Sequence, residues 1–183
     1  MPKLPWSALA RALRRITSHD GRAERSRRGA GGPVSTLLSG SSHAYPGDFE
    51  GSVEIHYNPH PDGRPDPGEI VWAWVPYEED HGRGKDRPVL LIGHDDEAPG
   101  GPWLLGLQLT SRDHDHDAGQ ERRAGRLWVD VGSGAWDRRG RPSEARVNRI
   151  LRLHPQAVRR EGAVLTEEVF ERVAAAVLAA QPR

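Results

Sequence analysis

From residue 69 to 75 the chain reads EIVWAWV, apolar at every position after the glutamate. In an extended chain Ile70, Trp72 and Trp74 fall on one face and Val71, Ala73 and Val75 on the other, which predicts a strand covered on both sides. PVLLIG (88–93) predicts a second buried strand, and HDDEAPGG turns the chain after it. PWLLGLQLTS (102–111) predicts a third, with Trp103, Leu105, Leu107 and Leu109 on one face and Leu104, Gly106, Gln108 and Thr110 on the other. RLWVDVG (126–132) is a fourth, and ARVNRILRL (145–153) a fifth with looser alternation. The period then changes. Val169, Val173, Ala176, Val177 and Ala180 recur at helical spacing behind an N-cap at Thr166, with Glu167 and Glu168 at the positive end of the dipole. Leu165 is placed to staple onto Phe170. Short strands, Gly-rich turns and one terminal helix predict a mainly β fold, a small barrel with a C-terminal helical cap.

The leading third has a different texture. LPWSALARALRRI (4–16) predicts a short basic amphipathic helix with Trp6, Leu9 and Leu13 on one side. Residues 17–42 are rich in Gly, Ser and Arg and read as a flexible linker. SVEIHY (52–57) predicts an edge strand, and NPHPDGRPDPG a rigid extended lead-in. The chain thus divides into a basic, largely disordered extension over 1–45, a Pro/Gly-rich lead-in over 46–67 and a barrel domain over 68–181.

Composition narrows the chemistry. Cysteine is absent, which removes disulfides, thiol catalysis and thiolate metal sites and fits a cytoplasmic protein. No apolar run approaches the ~20 residues of a membrane span. Formal charge is zero, yet the first 28 residues are strongly basic, and lysine occurs only at Lys3 and Lys85. A hydrophobic fraction of 36% is low for a wholly folded chain.

The connector between the first two strands, EEDHGRGKD (78–86), is longer and more charged than a turn requires, and it reads as a loop that touches a ligand. GEIVWAWVP, this loop and RPVLLI, followed in order by LQLTS, SEARVNRILRL and the closing helical segment, resemble the PemK/MazF family of bacterial toxins over about residues 66–180. The resemblance implies an SH3-like barrel that forms a homodimer and cleaves single-stranded RNA at short sequences. It also implies no metal or other cofactor, and a cognate antitoxin protein as partner. By the same resemblance Arg87 and Thr110 hold the catalytic positions, and the 78–86 loop is the mobile loop bordering the RNA groove. Asn148 stands where many members carry an acidic residue.

Such a site would let the RNA 2′-OH attack its own phosphate. Arginine suits the developing charge because its planar fork donates to two oxygens, and because it stays protonated it makes a poor base. Thr110 would donate to the same phosphate; Ser111 follows on the opposite face of an extended strand. His81 has the chemistry for proton transfer. Arg83, Lys85, Arg138, Arg139 and Arg141 are candidate RNA-backbone contacts, and Trp136, in a Gly-rich connection, is the candidate base-stacking residue. RDHDHDAG (112–119) reads as a solvated loop, since His114 and His116 would alternate with Asp113, Asp115 and Asp117 rather than converge on an ion. The competing reading from another class is a catalytically silent RNA- or protein-binding barrel.

Overall fold

The structure is a computed structural model that describes residues 44–114 and 118–181. The N-terminal helix and linker expected over 4–42 lie outside the described residues, as do Asp115, His116 and Asp117. The strands are β1 (Glu69–Pro76), β2 (Gly84–Asp95), β3 (Trp103–Thr110), β4 (Trp128–Gly132), β5 (Ser143–Arg146), β6 (Leu151–Leu153) and β7 (Arg159–Val164). A short helix, α1 (Ala118–Arg123), precedes β4, and α2 (Glu167–Ala180) closes the chain. All pairings are antiparallel, in the order β4-β5-β3-β2-β1-β7 with β6 also against β3, and the sheet curls into a half-barrel.

Strong alternation places the sheet's centre. Ile70, Leu90, Leu105, Leu107 and Leu109 share one buried cluster with Phe170, Val173 and Val177 of α2. Val71, Ala73, Val75, Val89, Leu91 and Leu104 form the other, closed by Leu151 and Leu153 of β6. Both sides of β1–β3 are therefore covered along most of their length. The exception is the end of β1, where Trp72 is half-buried and Trp74 is 56% exposed, so the face expected to be buried throughout is buried only at Ile70.

Three segments differ from the sequence pattern. The fifth predicted strand is two: residues 147–150 break it because their polar groups have partners off the ladder. Asn148 Oδ1 accepts from Leu127 N at 3.0 Å, and Arg149 Nε donates to Asp48 at 2.8 Å. β7, a segment for which the sequence pattern predicts no strand, pairs with the open edge of β1 through a bulge at Ile70/Val71. Residues 52–57 form no ladder. The lead-in instead anchors by single contacts: the Phe49–Ile150 bridge, a buried Val53, and the Tyr57 hydroxyl donating to Leu165 O at 2.8 Å. Gly68 allows this packing, since its φ is +100° and a Cβ would lie 2.7 Å from the Tyr57 ring.

Candidate active site

The β2–β3 ladder ends at the Val89–Gln108 pair, and β3 then turns to β5, pairing Leu109 with Ala145 and Thr110 with Glu144. Continuing the lost register sets Arg87 opposite Thr110, on the same side of the sheet. Where the strands separate a cleft of about 510 Å³ opens, with Arg87, Thr110 and Ser111 in its wall. Arg138, Arg139 and Arg141 enter from the β4–β5 connection and Arg159 from β7. Trp72 and Trp136 add aromatic surface, and Asp86 and Asp137 are the carboxylates of the lining among the described residues.

Charge in the cleft is unbalanced. Asp86 is ion-paired with Arg159. Asp137 accepts from the Arg139 backbone N–H at 2.8 Å and from Arg141 Nε at 2.7 Å, and these bonds hold its carboxyl below the usual range. Among the described residues, the guanidinium groups of Arg87, Arg138 and Arg139 have no carboxylate partner. A cleft with cations to spare attracts a polyanion. Thr110 Oγ1 accepts from Arg112 N at 3.2 Å, which leaves the hydroxyl proton free to donate. That turn ends the strand, so Ser111 reaches the cleft as well instead of facing away.

The remaining candidates divide. Trp136 lines the cleft but is only 5% exposed, with Nε1 donating to Ser143 Oγ at 3.1 Å; it is a wall of the core, and no free ring face is offered for stacking. The last third of the 78–86 segment is already strand, β2 beginning at Gly84. Its tip is closed by Tyr77 N to Arg83 O at 2.8 Å, and Arg83 and Lys85 sit 5.8 and 6.0 Å from the centre of the Tyr77 ring. His81 is exposed and edge-on to Tyr45 at 5.0 Å. None of these three lines the cleft. The base of the loop is fixed by Glu78, which takes two bonds from Arg146, at 2.7 and 2.9 Å, that push its carboxyl below the ordinary value.

Sequence reasoning missed His114. Rather than pointing to solvent it is buried, with Nδ1 2.6 Å from Glu144 Oε2, its backbone N–H on Oε1 at 3.2 Å, and its ring stacked on Trp128 at 4.4 Å. Trp128 Nε1 donates to Glu121 at 3.0 Å, and Glu121 takes both Nε and Nη2 of Arg126. Those hydrogen bonds, from Arg126 first and Trp128 second, pull the Glu121 carboxyl down to about 2. Neither periodicity nor spacing signals this cluster, since its members are scattered over residues 114–144. Among the described residues no group of three His, Asp or Glu side chains is arranged to hold a metal ion, and no helix is long and apolar enough to cross a membrane.

A curled antiparallel half-barrel with a C-terminal helix, whose sheet splits beside a cluster of arginines, defines the class of this protein as a small mainly β fold. The sequence profile of the PemK-like, MazF-like toxins of type II toxin–antitoxin systems matches residues 66–180, and the chain belongs to that family. Membership implies an antitoxin protein as its partner. No relative is matched among curated proteins.

Proposed function

We propose that this toxin is an endoribonuclease that cuts single-stranded RNA at short sequences without a metal, acting in the cytoplasm as a homodimer until its antitoxin binds. The observation that carries the reading is Arg87, without a carboxylate partner among the described residues and opposite Thr110 where the sheet splits. The 2′-oxygen of the nucleotide attacks the adjacent phosphorus, the bond to the 5′-oxygen breaks, and the products are a 2′,3′-cyclic phosphate and a 5′-OH. Arg87 clamps the equatorial oxygens as negative charge builds, and Thr110 donates to the same group. Arg138 and Arg139 hold flanking phosphates. Among the described residues the cleft lining contains no histidine and both of its carboxylates are bonded to arginines, so the proton leaving the 2′-OH and the proton taken by the 5′-oxygen are exchanged with solvent.

The test is incubation of the full chain with long mixed-sequence single-stranded RNA in EDTA, beside the Arg87→Ala variant. Discrete fragments with 5′-OH ends from the wild type alone are expected. Intact RNA with the wild type would overturn cleavage and leave a binding module.

A further inference from the structure

Trp74 is a large aromatic side chain, 56% exposed, that belongs to neither buried cluster. It is two residues beyond Trp72, on the same face of β1, and Trp72 lines the cleft. Its cross-strand partner is Asp86, which also lines the cleft and holds Arg159. The indole rests on bare backbone. A Cβ at Gly84 would lie 2.8 Å from Trp74 Cε2 and 2.9 Å from Nε1, so only glycine lets the ring settle there. One side of the ring is thus held against the chain while more than half of the residue remains open to solvent.

We propose that Trp74 is a nucleobase-stacking platform that extends the arginine cleft onto β1, taking one base of a single-stranded RNA on its open side. The proposal rests on the ribonuclease reading above and names a subsite for it. An aromatic face beside a row of cations is the arrangement that holds single-stranded nucleic acid, the cations taking phosphates and the ring taking a base of any identity. Trp74 is about 7 Å along the strand from Trp72, on the face of β1 that carries Asp86 and Arg159 across its two neighbours and not the face of Arg87. The phosphate within a nucleotide's reach of it is therefore one held on the Arg159 side of the cleft. A backbone contact already fixes the ring's orientation, so little side-chain freedom is lost on binding. The subsite that Trp136 fails to supply falls instead to a tryptophan on the rim.

The test measures binding of the full chain to a mixed-sequence 2′-O-methyl oligoribonucleotide, whose blocked 2′-oxygen prevents attack, and to inorganic polyphosphate, which has the charge without the bases. Wild type, Trp74→Ala, Trp74→Phe and Arg87→Ala are compared at one salt concentration, with thermal melting and sedimentation of each. Trp74→Ala should weaken the oligonucleotide about tenfold or more while leaving polyphosphate unchanged, and Trp74→Phe should recover most of the loss. Arg87→Ala should weaken both probes. Equal oligonucleotide affinity for wild type and Trp74→Ala would overturn the stacking role alone. So would an equal loss for both probes, or a loss that accompanies dissociation of subunits, which would make Trp74 a contact between copies. A wild-type chain that binds neither probe would overturn the ribonuclease reading, and this subsite with it.

Discussion

Two charged regions meet at the β3–β5 ladder, where Thr110 belongs to the cleft and its register partner Glu144 to the cluster around His114. Both combine arginine, carboxylates and tryptophan, and they differ in how completely the charges answer one another. In the cluster, Glu121 satisfies Arg126 and the Trp128 N–H, Glu144 satisfies His114, and the His114 and Trp128 rings cover each other. In the cleft, Asp86 and Asp137 engage Arg159 and Arg141 and nothing answers Arg87 or Arg138 among the described residues. A satisfied network stabilises the fold, whereas unpaired cations at a cleft await an external anion. The same residue types therefore do different work according to their partners.

Among substitutions that keep the charge of the cleft, the largest expected effect comes from Arg87→Lys. Lysine keeps the charge and loses the planar fork, so RNA cleavage should fall about 100-fold while RNA affinity changes only a few-fold. Single-turnover rates beside anisotropy titrations would show it; parallel losses in both would mean that Arg87 only binds. Glu121→Ala should do the reverse, costing about 1–3 kcal/mol of stability and several degrees of melting temperature because the Trp128 N–H and Arg126 lose their acceptor. Acid should reproduce that loss gradually. Because folding lowers the Glu121 carboxyl to about 2, its contribution is complete above its ordinary value near 4.5 and disappears as pH falls toward 2. Melting curves of the wild type should drop across that window, with a shallower drop for Glu121→Ala.

Smaller effects sharpen the cleft itself. Arg138→Ala and Arg139→Ala should each reduce the slope of log affinity against log salt by about 0.7, the amount for one phosphate contact on a single strand, with melting unchanged. An unchanged slope would remove that arginine from the RNA path. The last prediction is a null one. With no histidine among the described residues of the cleft lining, the cleavage rate should vary with pH without an inflection between about 5.5 and 7.5. An inflection abolished by His81→Ala or His114→Ala would bring that histidine into the chemistry.

How much of this was legible in the sequence follows from where local pattern decides structure. β1, β2 and β3 could be placed because their apolar runs have nowhere to go but a covered sheet, and α2 because five apolar positions recur at helical spacing. β7, with the sequence RREGAV, has no such signature and is a strand because β1 offers it an edge. Missing β7 meant missing Arg159 as a cleft residue. Arg87 and Thr110 were named by resemblance, and their juxtaposition required the register of strands that local pattern does not encode. Trp103 is buried as its strand pattern predicts, whereas Trp74 and Trp136 differ from expectation for a related reason: whether an indole is buried depends on what lies opposite, here α2 and a bonded Ser143 for Trp136 and bare Gly84 for Trp74. His114 was invisible because its partner Glu144 is thirty residues away.

The most direct measurement puts Arg87→Ala and Glu121→Ala side by side, recording RNA cleavage at 25 °C and thermal melting on the same preparations. If unpaired charge marks the working site, Arg87→Ala should melt like the wild type and cleave nothing, while Glu121→Ala should melt lower and still cleave below its transition. Undiminished cleavage by Arg87→Ala, or a folded Glu121→Ala that no longer cuts RNA, would contradict the account.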